Sequence, residues 1–331
     1  MKKSLFIFFA TIGMLACTQE GTLQLSPSHE IRFGSKFVNN ASRAAQNPSF
    51  IDGENDLTAF NLWGFMDKPT LKLWDAEDVT KVGDGWSQDN VQYWIPGHSY
   101  AFSALAPMDS ANWQADTSGI NTHGLGRVTF AITDGGEDLI YADTTLTTPK
   151  TYDELFANPM DTVKLEFDHL LTAVKFSFKN GMPNVPNDNL QLVVKNVTME
   201  VPKSATIDLA VENWEDNASW QFDNSTVVLN FGDMPPVGVG QMDEVEKVRL
   251  IFPTPATTTY IVNFDVEVYM DGVLAMTHKK SAKIENRTLE RGKAYNFYAT
   301  ITHDNLNLKP IEFGTVSVSG WVTVPSTNIN K

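Results

Sequence analysis

Six histidines, His29, His98, His123, His169, His278 and His303, and one cysteine, Cys17, are the side chains here that could ligate a transition metal or act as a strong nucleophile. A zinc centre gathers histidines and cysteines at short, regular spacings, because one ion must be surrounded by several such donors. These histidines are scattered, none has HExxH spacing, and the cysteine has no partner of its kind. There is no Gly-x-Ser-x-Gly elbow for a nucleophilic serine, no glycine-rich loop to cradle phosphate and no dinucleotide fingerprint. His169 reads as a corner residue hydrogen-bonded to backbone. Asp75, Glu77 and Asp78, with Asp84 close behind, lack EF-hand spacing and read as a solvated acidic loop. The expectation is a non-enzyme with no metal and no cofactor.

Aromatic residues offer the other chemistry. Trp63, Trp74, Trp86, Trp94 and Trp113 crowd one part of the chain, where exposed rings could stack on sugars. Core packing explains the same rings equally well, so glycan binding is a secondary reading.

The elements that would position these residues are strands. The stretch Val163–Asn180 carries Val163, Leu165 and Phe167 on one face of a period-two pattern, then Val174, Phe176 and Phe178 on the other. A straight strand would turn its apolar face to water after that flip, so a corner is expected between Asp168 and Thr172. On either side lie short Val-, Ile-, Thr- and Phe-rich runs separated by Gly, Asp, Asn and Pro, the punctuation of all-β sandwiches. Thr151–Met160 is the best helix or turn candidate, and Asp271-Gly272 supplies a two-residue hairpin turn. At 331 residues the chain is long enough for two domains, and the division falls at 44–160 and 161–331.

Charge narrows the partners. A formal net charge of −15 provides no basic footprint for nucleic acid, and hydrophobic content of 42% supports packed cores. Lys2 and Lys3 precede an apolar run, Leu5 to Leu15, that is too short to span a bilayer and has the layout of an export signal. Met14-Leu15-Ala16-Cys17 resembles a bacterial lipobox, which makes residues 1–16 the signal and diacylated Cys17 the mature first residue; an ordinary secretory cut nearby is the alternative. Residues 17–43 form a polar leader in which Ile31 and Phe33 alternate with Arg32 as a short strand. Arg43 follows among small and polar residues, a setting accessible to proteases.

Taken in order, the lipobox, the Ile-Arg-Phe strand, the Ser-Arg-Ala site, Trp-Gly-Phe at Trp63, Ser-Tyr-Ala-Phe-Ser-Ala-Leu-Ala-Pro at Ser99 and Asp-Leu-Ile-Tyr-Ala at Asp138 resemble the fimbrillin family of Bacteroidetes. So do the Phe167–Phe178 core, Leu289–Ile301 and the terminal Val-Ser-Val-Ser-Gly-Trp. The resemblance implies two tandem transthyretin-like β-sandwich domains in a lipoprotein subunit of a surface pilus. It implies partners too: the lipoprotein export machinery, an arginine-specific protease cutting between Arg43 and Ala44, and other fimbrillin subunits, as homo- or hetero-polymer. Ile31 and Phe33 would be the displaced leader strand, and Val316, Val318, Trp321, Val322 and Val324 the donor-strand candidate. Its location would be the outer membrane or, after processing, the fimbrium. A lipid-anchored adhesin, glycan binder or pilus anchor that is never polymerised is the alternative.

Overall fold

The computed structural model describes residues 29–37, 57–68, 70–83, 85–117, 125–184, 189–211, 214 and 220–320. Strands and helices are numbered in chain order, and among the described residues the fold is all-β with two short helices, α1 (Tyr152–Ala157) and α2 (His303–Asn307). Among the described residues no helix is long and apolar enough to cross a membrane, which says nothing about barrels.

The first sheet has seven strands, in the order β1 (Phe33–Phe37), β9 (Val163–His169), β8 (Ile140–Thr147), β5 (Ser99–Ala106), β2 (Ala59–Met66), β3 (Leu71–Val82) and β4 (Gly85–Gln88). β2 and β5 are buried on both faces, which is why their sequences are almost continuously apolar. One face packs Phe60, Leu62, Phe102 and Ala104 with Val163, Leu165 and Phe167. The opposite face, carrying Trp63, Phe65 and Leu105, joins a second, larger core.

That larger core belongs mainly to two further sheets. One runs β15 (Met242–Glu244), β10 (Thr172–Asn180), β19 (Lys293–Ile301) and β20 (Phe313–Gly320), with β16 (Arg249–Ile251) also pairing β10; the other runs β14 (Thr226–Gly238), β11 (Leu190–Pro202), β17 (Tyr260–Met270) and β18 (Val273–Ile284). β10 is central and buried on both faces, so its polar residues need partners. Ser177 Oγ donates to Asn296 Oδ1 at 2.9 Å, Asn296 Nδ2 donates to Glu244 Oε1 at 3.1 Å, and Lys175 pairs with the same glutamate. β17 alternates as its sequence predicts, with Val262, Phe264, Val266 and Val268 buried, although Met270 at its end is exposed. Asp271 and Gly272 close the β17–β18 hairpin with φ of 50° and 78°, the left-handed pair that a type I′ turn requires.

The corner expected within Asp168–Thr172 lies between β9 and β10. Leu170 N–H donates to Leu139 O at 2.9 Å on the first-sheet side, and Gly292 N–H donates to Leu171 O at 2.8 Å on the other. Val163–His169, which the division at 160/161 places with the C-terminal half, is therefore hydrogen-bonded into the first sheet. A fourth sheet also crosses that division: β6 (Trp113–Asp116) and β7 (Arg127–Ala131) continue into β12 (Ser204–Asp208) and β13 (Trp220–Phe222). β7 pairs β12 antiparallel from Arg127↔Asp208 to Ala131↔Ser204, and the Thr129 and Thr206 hydroxyls meet at 2.8 Å. The two parts of the chain thus share a sheet as well as a core.

Tyr141 and Tyr260 are among the tyrosines buried in the larger core. Burial pushes Tyr260 up to about 12 and raises Tyr141 as well. A folded-state pKa above the unfolded value of ~10 leaves stability whole below that pH and erodes it as pH rises from there through the folded value. Ultraviolet titration of phenolate absorbance should therefore leave both tyrosines silent until alkaline unfolding; their ionisation in the still-folded protein near the ordinary phenol pKa would contradict this.

Candidate functional site: the leader groove

The leader strand foreseen at Ile31 and Phe33 is present, and its backbone is bonded on both sides. Trp94 N–H donates to His29 O at 2.8 Å, Ile31 N–H donates to Gln92 O at 2.9 Å, and Gln88 Nε2 donates to Ile31 O at 3.1 Å. Beyond Ile31 the chain changes partner: Val163 N–H donates to Arg32 O at 2.7 Å, and β1 then runs parallel to β9 from Phe33↔Val163 to Phe37↔Phe167. Regular strand geometry begins at Phe33, two residues later than the alternation predicts, because the chain before it is engaged in an isolated antiparallel bridge, Glu30 to Tyr93, for which Ile31 N–H supplies one hydrogen bond. One short segment therefore spans from the stretch after β4 to β9, closing the groove between the two ends of the first sheet.

Side chains alternate accordingly. His29, Ile31 and Phe33 are buried, whereas Arg32 is exposed and pairs with Glu30 at 3.2 Å, a surface contact worth about 0–1 kcal/mol. Phe33 sits edge-on to Trp74 and Phe102, with centroids 5.5 and 5.4 Å away. Trp74 is fixed in turn by its Nε1–H, which donates to Asn90 O at 2.7 Å. His29 stands edge-on to Phe156 of α1 at 4.3 Å. α1 is short but doubly held: Thr151 and Glu154 form a capping box, and Leu155 is buried beneath it. Phe156 remains 57% exposed, so it covers His29 from the solvent side rather than joining a core.

The donor-strand candidate lies elsewhere. Val316 and Val318 are on β20, at the edge of a different sheet, paired with Phe297 and Tyr295 of β19. Val316 packs against the larger core and Val318 is 53% exposed. Within one chain the structure does not bring them to the leader groove. Cys17, Arg43, Ala44, Trp321, Val322 and Val324 lie outside the described residues.

The remaining candidates resolve into packing. Trp63, Trp74 and Trp94 are fully buried, while half-buried Trp86 lies tilted against Phe60 at 4.9 Å and half-buried Trp113 edge-on to Trp63 at 6.1 Å, so none offers a bare ring to a sugar. Asp75 pairs with Lys72, Glu77 accepts from Asn90 N–H, and Asp78 accepts from the buried Asn61. Among the described residues no three His, Cys, Asp or Glu side chains form a metal-holding group. His169 is a corner residue, but its Nδ1 lies 2.9 Å from Asp138 Oδ2 and not only against backbone. Sequence reasoning missed that buried aspartate, since no local pattern couples residues so far apart. It also missed Gln92, Trp94 and Phe156 as leader partners.

Residues 53–321 match the fimbrillin-like family model, and the chain belongs to that family. The fold is similar to that of a fimbrial protein from Bacteroides vulgatus, with a TM-score of 0.64 at 12% identity over 89% of this chain and 100% of that one. A protein from Bacteroides eggerthii provisionally described as a cell adhesion protein is similar at a TM-score of 0.51 and 10% identity, over 88% of this chain and 96% of its own. No curated protein matches.

Proposed function

We propose that this chain is a structural or adhesive subunit of a cell-surface pilus, exported as a lipoprotein on Cys17, processed between Arg43 and Ala44, and assembled by strand exchange. The observation that carries the reading is the leader itself. His29, Ile31 and Phe33 fill apolar pockets and the segment's backbone is bonded on both sides, yet it is joined to β2 only through the segment containing Arg43. Once that connection is cut, departure of the leader leaves unpaired N–H and C=O groups and exposed pockets, and an incoming strand offsets both costs. The C-terminal residues Val316, Val318, Trp321, Val322 and Val324 are the strand offered to a neighbour. Export machinery, an arginine-specific protease and other fimbrillin subunits are the partners, at the outer membrane and then in the fimbrium. The division into 44–160 and 161–331 stands as a proposal for folding units.

Cleavage at Arg43 should make an N-terminally labelled leader exchangeable against excess unlabelled peptide of residues 29–37, while Arg43→Ala protein given the same protease keeps its label. Equal retention in both proteins would defeat the exchange reading and leave the anchored adhesin. Cys17→Ala is expected to abolish membrane attachment without lowering the melting temperature, since the acyl chains are the anchor and lie outside the cores. Partition of the variant into salt-washed membranes would show an anchor other than the lipid.

A further inference from the structure

The leader groove has three side-chain positions of different chemistry. At the first, a planar ring, His29, stands edge-on to Phe156 at 4.3 Å; at the second, Ile31 is wholly buried; at the third, Phe33 fills the angle between Trp74 and Phe102. The residue after Phe33 is also constrained, because a Cβ on Gly34 would stand 3.3 Å from Thr162 Cγ2. The pattern is ring, x, aliphatic, x, aromatic, small, read parallel to β9.

The chain's own C-terminal strand does not carry it. In no register between Ile311 and Ser326, in either direction, do alternate residues give ring, aliphatic and aromatic. Read in the leader's own direction, parallel to β9, two registers place valine in both inner pockets. In the first, Gly314, Val316 and Val318 would stand for His29, Ile31 and Phe33, but that register strips Val316 and Val318 from their ladder with Phe297 and Tyr295. In the second, Gly320, Val322 and Val324 take those places, and Pro325 then replaces Gly34 with no N–H to offer the ladder. Both put glycine opposite Phe156 and valine where Trp74 and Phe102 enclose a phenyl ring.

Resting on the strand-exchange reading, we infer that the groove selects its occupant by these three positions. It takes a strand with a ring, an aliphatic residue and an aromatic ring at alternate places, contributed by a different polypeptide and not by the C-terminus of a second copy of this chain. Its partner in assembly is therefore a heterologous subunit.

The test uses the full chain with a site-specific protease sequence replacing residues 42–45, cut so that the leader stays bound only by its own contacts. Labelled peptide of residues 29–37 should exchange into the groove. The same peptide with His29→Gly, Ile31→Val and Phe33→Val, and a peptide of residues 318–326, should each need roughly 10- to 100-fold more for half-exchange, the loss of two ring-filled sites. Equal exchange by all three overturns the inference while leaving strand exchange intact. If no peptide enters, strand exchange fails, and the pockets are judged on the uncut chain: the triple leader variant should lose amide protection at Val163–Phe167, and unchanged protection overturns the selection as well. A gain of function completes the test. Cut protein alone should stay monomeric, whereas cut protein carrying Gly320→His, Val322→Ile and Val324→Phe should form head-to-tail oligomers; oligomers of the unsubstituted protein would overturn the inference.

Discussion

Phe33→Ala in the uncut chain is expected to cost about 3–5 kcal/mol, the range for emptying an aromatic site in a packed core. Trp74 is held by its bond to Asn90 and Phe102 lies on a strand buried on both faces, so neither can collapse freely into the space. The leader is tied on both sides by backbone, so the cavity also weakens the ladder to β9. Denaturant unfolding should show the loss, and amides of Val163–Phe167 should exchange faster. Arg32→Ala, one residue away and exposed, should stay within about 0.5 kcal/mol of the parent. Equal effects at positions 32 and 33 would mean that the leader is held by its backbone alone and that the pockets are incidental.

How much of this was legible beforehand depends on whether a signal was local. The parity flip between Phe167 and Val174 announced the corner, and the reason is now physical: Val163, Leu165 and Phe167 face one core while Val174, Phe176 and Phe178 face the other. The hairpin at Asp271-Gly272 and the short helix after Thr151 were equally readable, because turn geometry and capping are written within a few residues. The leader strand was visible as alternation at Ile31 and Phe33. Its partners were not, since parallel pairing to β9 joins residues some 130 positions apart and leaves no trace in either segment. The sheet that unites β6 and β7 with β12 and β13 was hidden for the same reason. The tryptophans show a different limit: composition left core packing and a sugar-binding surface both open, and only burial distinguishes a platform from a core.

Gly64 provides the second large effect, and it reaches the leader through one intermediary. A Cβ built on this residue of β2 would stand 2.4 Å from Cε3 of Trp74 and 3.1 Å from its Cζ3, far inside van der Waals contact. Gly64→Ala must therefore push the indole away from β2, at a cost of about 1–3 kcal/mol for overpacking. Phe33 stands edge-on to that indole, so part of the displacement falls on the leader. In protein already carrying Phe33→Ala the indole has somewhere to go, and the alanine at 64 should cost less. A double-mutant cycle over these two positions, measured by denaturant unfolding, is expected to show a coupling of about 0.5–3 kcal/mol, with the double variant more stable than the sum of the singles predicts. Gly64→Ala alone should also speed exchange of the Val163 amide, whose acceptor is Arg32 O in the leader. Additivity within about 0.5 kcal/mol, with Val163 still protected, would mean that Trp74 relaxes away from Phe33 and that packing behind the groove does not set how firmly the leader is held.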